Sequence, residues 1–146
     1  QLFNSTVYDE IAFGPRQLGL TEEVSQRVQD TLSLLKIEDL RDRVPYQLSG
    51  GEKKKVAFAS IMVTNKDVYI LDEPFNNLSK EYEEFFRELL HDLHSAGKTI
   101  IMSAHHFKHL HHEKADVLLF EDGKADFFPA QEVLSNQQVI ERLSHY

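Results

Sequence analysis

Apolar residues recur along this chain in two textures. Val24, Val28, Leu32 and Leu35 fall at i, i+4, i+8 and i+11, which is one face of a helix. Thr21, Glu22 and Glu23 precede them as a helix start, with acids near the positive end of the helix dipole. Upstream, Thr6 caps a shorter predicted helix that carries Val7, Ile11 and Phe13 toward a core, and Gly14-Pro15 is expected to stop it. Ile37 and Leu40 extend the apolar set, and Pro45 ends the segment.

Beyond Pro45, helices alternate with short apolar runs. Residues 52–63 read as a helix with Val56, Ala59, Ile61 and Val63 on its apolar side. Residues 68–71 are continuously apolar, as in a strand buried on both faces. Residues 80–95 form an amphipathic helix through Phe85, Phe86, Leu89, Leu90 and Leu93, closed by Gly97. A second buried strand follows at 99–102, a short helix at 107–113 and a third strand at 117–120. Residues 121–124 turn the chain, 125–128 pair back as a hairpin strand, and 129–146 carry one or two helices. Strands alternating with helices predict an α/β fold built on a parallel sheet with right-handed crossovers. The expected division is a helical portion at 1–45 and an α/β core at 46–146.

Composition narrows the function. Of 146 residues, 41% are hydrophobic, enough for a core. Lys and Arg total 16 against 24 Asp and Glu, a formal charge of −8, which argues against a non-specific nucleic-acid binder. The absence of cysteine excludes disulfide scaffolds, Cys-based zinc fingers and thiol catalysis. No apolar run approaches the roughly 20 residues that span a bilayer, and no secretory leader is visible. The chain starts at Gln1 rather than Met, and a fragment or processed form is expected.

Three segments carry candidate chemistry. Asp72 and Glu73 follow the apolar run at 68–71, at the strand end where α/β sheets place ligands. The first carboxylate suits Mg²⁺ and the second suits a general base on water; the plain alternative is an acidic turn. Ser49, Gly50, Gly51 and Glu52 stand directly before a helix, where free N–H groups favour phosphate; the alternative is a serine N-cap. His105 follows the strand at 99–102 and is able to reach the same sheet edge, or to be a solvated loop histidine.

Their order and spacing together resemble the ATP-binding-cassette (ABC) ATPases, over essentially the whole chain. Residues 48–52 look like the signature motif, with Glu52 where Gln is usual. Residues 68–73 look like Walker B with its catalytic glutamate, 75–79 stand at the D-loop, and His105 stands at the switch histidine. Gln1-Leu2-Phe3, Thr6-Val7, residues 11–15 and the Leu-Gly-Leu step at 18–20 are similar to ATPase subunits of energy-coupling-factor (ECF) and cobalt-type importers.

The resemblance implies a partial P-loop NTPase core plus a helical subdomain, with ATP and Mg²⁺ as ligands. Asp72 would hold the Mg²⁺ shell, Glu73 would polarise the attacking water, and His105 would contact the γ-phosphate. Ser49, Gly50, Gly51 and Glu52 would clamp ATP bound to a second ABC ATPase subunit. A transmembrane coupling subunit would dock on the helical subdomain at the cytoplasmic face of the membrane, with no membrane insertion by this chain and no nucleic-acid partner.

Departures from the family pattern qualify this. No G-x-x-x-x-G-K-[ST] loop occurs, so Walker A is absent, and the chain alone is expected to be inactive. One sheet edge or face is then expected to lie uncovered. Ser79 stands where the D-loop aspartate is usual, and Asn76-Asn77 replaces small residues. An alternative is a natural Walker-A-less module that completes a partner's ATP site in trans. A third reading, an ABC ATPase of DNA repair or translation, fits the acidic composition poorly. Five of the eight histidines crowd into 105–112. His105 or His106 with His109 has metal-ligand spacing, against the plainer reading of a solvated polar helix. Lys53, Lys54 and Lys55 read as the wet first turn of the signature helix.

Overall fold

The computed structural model describes residues 4–20, 22–105 and 115–145. Thr21, the helix expected at 107–113 and His106, His109, His111 and His112 lie outside these residues. The chain forms two compact units, one from residues 1–69 and 77–99 and the other from 70–76 and 100–146.

In the first unit, α1 spans Val7–Gln17. The Thr6 hydroxyl accepts the Asp9 N–H at 3.1 Å, as its capping position predicts. Gly14-Pro15 does not stop this helix. Pro15 sits inside it, fully buried; the helix runs on to Gln17, Leu18 caps it and Gly19 follows at φ +75°. A proline here removes one backbone bond, at a cost of about 3 kcal/mol in a helix interior. The reason for the pair is packing: a Cβ on Gly14 would stand 3.3 Å from Thr64 Cγ2 and 3.6 Å from the Ser60 carbonyl. Gly14 therefore lets α1 close on α3, which spans Gly50–Met62.

The helix α2, Val24–Leu35, buries the four residues its spacing selects and ends at Lys36 in left-handed geometry. Two single 3₁₀ turns, Glu38–Leu40 and Pro45–Gln47, lead into α3. On α3 the buried residues are Val56, Phe58, Ala59 and Met62, while Ile61 faces outward, against expectation. The Phe58 ring meets Phe86 of α4 (Lys80–Ser95) with centroids 4.3 Å apart, and that large aromatic contact takes the core position.

The strands β1, Val68–Leu71, and β2, Thr99–Met102, form a two-stranded sheet, and the boundary between the units crosses both. Thr99 N–H donates to the Asp67 carbonyl at 2.8 Å and Ser103 N–H to the Leu71 carbonyl at 3.0 Å. Equal steps on both strands make the pair parallel.

In the second unit, β3, Val117–Glu121, pairs antiparallel with β4, Lys124–Phe128, around a two-residue turn at Asp122 and Gly123, both at positive φ. The helices α5, Ala130–Ser135, and α6, Gln137–Leu143, bury Val133, Val139 and Leu143 against Val117. Arg142 of α6 donates to Glu121 at 2.9 Å and Asp126 at 2.6 Å, tying that helix to the hairpin.

Two expectations fail here. Among the described residues β3 pairs with β4, as the expected hairpin, and not with β1 or β2, so it is not a third parallel strand beside them. Nor is β1 buried on both faces: Tyr69 and Leu71 are buried, while Ile70 is 76% exposed. A continuous apolar run reports two apolar faces, but only one of them is covered here. Ile101, Leu118, Phe120 and Phe127 are likewise exposed, as the expectation of an uncovered sheet face required.

Candidate functional site

Parallel pairing puts the C-terminal ends of β1 and β2 side by side, so Asp72-Glu73 and Ser103-Ala104-His105 emerge together in the second unit. His105 Nε2 lies 2.5 Å from Glu73 Oε1. His105 is 80% exposed there and Glu73 only 24%. Asn76 Nδ2 donates to the other Glu73 oxygen at 3.1 Å. The Ser103 hydroxyl donates to Asp72 Oδ1 at 2.6 Å and accepts the Glu73 N–H at 3.0 Å.

Glu73 holds φ at +45°, in the left-handed region, which costs a side chain on the order of 1–3 kcal/mol. That backbone turn is what swings its carboxylate toward His105 instead of along the strand. Beside these groups is a hollow of about 80 Å³, bordered by Glu73, Phe75, Asn76, Ser103 and His105. It is small against the roughly 300 Å³ and more of a complete small-molecule pocket. It matches a water or a single phosphoryl group.

Asp72 is exposed, and one of its oxygens is committed to Ser103. No group of three or more His, Asp and Glu able to hold a metal occurs among the described residues. This donor set fits Mg²⁺, which keeps several waters and takes one or two carboxylates plus phosphate oxygens. It does not fit a caged structural ion.

The Ser49 segment lies in the first unit. Ser49 is the N-cap of α3 in a reciprocal capping box. Its own N–H donates to Glu52 Oε2 at 2.7 Å, and its hydroxyl accepts the Glu52 N–H at 3.3 Å. Hydrogen bonding to the carboxylate by the Ser49 side chain, and next by the Ser49 N–H, holds the Glu52 carboxyl below the usual carboxylate range. Glu52 in place of Gln is thereby explained as a capping residue. The N–H groups of Gly50 and Gly51 precede the first intrahelical bond, from Lys53 to the Ser49 carbonyl.

The two glycines differ. A Cβ on Gly50 would meet open space, but one on Gly51 would fall 2.5 Å from the Tyr82 ring. Gly51 is used by the protein's own aromatic, and Gly50 is the open approach to the helix start. Nor is Lys55 wet as expected: it donates to the Leu35 carbonyl at 3.0 Å, lies over Phe85, and burial pushes its pKa down. It neutralises the carbonyl end of α2.

Three residues that shape the site do not stand out in the sequence: Ser103, Asn76 and Tyr82. The observed parallel register sets Ser103 one step beyond β2, beside Leu71, with Asp72 next.

A family model described as ABC transporter matches residues 1–76. The nickel import ATP-binding protein LarO of Lactiplantibacillus plantarum is 53% identical over 109 residues, 74% of this chain and 45% of that protein. The energy-coupling factor transporter ATP-binding protein EcfA of Carboxydothermus hydrogenoformans is 34% identical over 143 residues, 97% of this chain and 53% of that protein. Among solved structures, cbiO1 of Clostridium perfringens, part of the ABC transporter complex cbiONQ, superposes with a TM-score of 0.79 at 32% identity, covering 97% of this chain and 58% of that one. The chain thus spans about half the length of the curated relatives it matches.

Proposed function

This chain belongs to the ABC transporter family, and from that premise we propose that it supplies the hydrolytic portion of an ATPase subunit powering an ECF- or cobalt-type importer. The observation that carries this reading is the contact of Glu73 with His105, next to the Ser103-held Asp72, at the ends of two parallel strands.

The assigned roles follow from the chemistry of each group. Glu73 accepts a proton from, or polarises, the water that attacks the terminal phosphate of ATP. His105 steadies that carboxylate and donates to a phosphate oxygen, which fixes the water's line of attack. Asp72 would hold Mg²⁺, which would supply charge neutralisation at the phosphate oxygens. Ser49, Gly50, Gly51 and Glu52 face ATP held by a second ATPase subunit. Gly50 offers the close approach, and the opening N–H groups of α3 their positive partial charge.

The 146 residues hold no G-x-x-x-x-G-K-[ST] loop, so the phosphate cradle belongs to sequence outside them. The same reading makes 1–45 a helical subdomain that receives a transmembrane coupling subunit, and 46–146 the signature helix and half of the core. The assembly works at the cytoplasmic face of a membrane; among the described residues no helix is long and apolar enough to cross one.

The test is to compare this chain alone with the longer protein encoded in frame around it. Turnover of ATP by the longer protein, abolished by Asp72→Asn and absent from the 146-residue chain, supports the reading. Turnover by the isolated chain, or an upstream reading frame without a P-loop, overturns it.

A further inference from the structure

We propose that Ser103 is a positioning residue that sets the Asp72 carboxylate and the Glu73 backbone together, through one hydroxyl. The inference rests on the reading of Asp72 and Glu73 given above.

A hydroxyl has a single hydrogen and two lone pairs. Ser103 spends the hydrogen on Asp72 Oδ1 at 2.6 Å, a short bond to a charged acceptor, and a lone pair on the Glu73 N–H at 3.0 Å. Both bonds exist together only when the side-chain torsion of Ser103 is fixed. The backbone beneath is fixed too, since Ser103 N–H donates to the Leu71 carbonyl at 3.0 Å, immediately before Asp72. The hydroxyl is thus placed by strand pairing, not by a loop.

Each bond has its own consequence. Fixing one oxygen of Asp72 orients the other for a hard cation. Holding the Glu73 N–H supports the left-handed φ of +45° that brings its carboxylate to His105. The Asn76 N–H, bonded to the Glu73 carbonyl at 3.1 Å, closes the same turn from the other side. Without the hydroxyl, Asp72 rotates and Glu73 relaxes toward negative φ, away from His105. Ser103 and Asp72 are exposed, so water replaces the lost bonds and the fold itself is little affected.

Ser103→Ala and Ser103→Thr test this with two readouts. In the 146-residue chain, hydrogen exchange of the Glu73 amide should quicken at least ~10-fold in S103A and stay slow in S103T, with melting temperatures unchanged. In the full-length ATPase, the Mg²⁺ concentration for half-maximal hydrolysis should rise about 10-fold in S103A, within the range for lost partners of metal ligands, and return in S103T. Unchanged Glu73 exchange in S103A overturns the proposal. So does an unchanged Mg²⁺ requirement in S103A of a protein whose turnover Asp72→Asn abolishes. Failure of the underlying reading shows separately, as turnover that survives Asp72→Asn whatever stands at 103.

Discussion

The imidazole of His105 and the carboxylate of Glu73 meet at 2.5 Å, although one follows β2 and the other follows β1. Residues that act as one unit in catalysis are far from additive when removed. In the full-length ATPase, His105→Ala should slow hydrolysis by about 10²-fold, in the range for loss of one proton-handling group. Combining it with Glu73→Gln should add almost nothing to Glu73→Gln alone. Rate constants from the two single variants and the double variant decide this: losses that multiply would separate the two groups.

Gly50 and Gly51 should respond in opposite ways to a methyl group. Gly51→Ala drives a Cβ into the Tyr82 ring, and overpacking of this kind costs typically about 1–3 kcal/mol. Gly50→Ala meets nothing, so its stability should hold while ATP-dependent pairing with a second subunit weakens. Urea melts of both variants measure the first effect. Adding Tyr82→Ala should recover part of the Gly51→Ala loss, as contacting residues couple.

The capping box makes α3 sensitive to acid. Ser49 holds the Glu52 carboxyl below its ordinary value of 4.5. A carboxyl lowered on folding adds stability that is fully present above the unfolded value and is lost as pH falls through the folded one. Glu52→Gln should therefore flatten the part of the stability profile that lies below about pH 4.5, while Ser49→Ala weakens the cap at every pH. Thermal melts from pH 7 down to pH 3 read both.

Exposed sheet residues predict self-association of the isolated chain. Ile70, Phe120 and Phe127 are large, apolar and open to solvent on short strands. Faces of this kind pair with other chains unless covered. Sedimentation at rising concentration should show association that Ile70→Lys and Phe120→Lys push to higher concentration. A monomer at every concentration would contradict it.

Much of this was legible in the sequence, for reasons that are local. The helix Lys80–Ser95 and the strand Thr99–Met102 begin and end where their spacing and the Gly97 stop put them. Thr6 and Ser49 cap as their side chains require. What escaped was decided by partners distant in sequence. Gly14-Pro15 has the chemistry of a helix stop, yet the approach of Thr64 and Ser60 gives the glycine a packing role inside α1. The apolar run Val117–Glu121 forms the expected hairpin with β4, but among the described residues it does not pair in parallel with β1 or β2. That Asp72, Glu73 and His105 meet at one sheet edge was readable from motif spacing. Ser103 and Asn76, which fix their geometry, were not, because no spacing rule marks a serine that bonds to the neighbouring strand.

The most direct test of the account is single-turnover ATP hydrolysis by the full-length ATPase with Glu73→Gln, with ATP binding measured on the same preparation. The account predicts a fall of at least about 10²-fold in the hydrolytic step while ATP still binds. Hydrolysis at the unsubstituted rate would place the general base elsewhere and remove the catalytic role from the ends of β1 and β2.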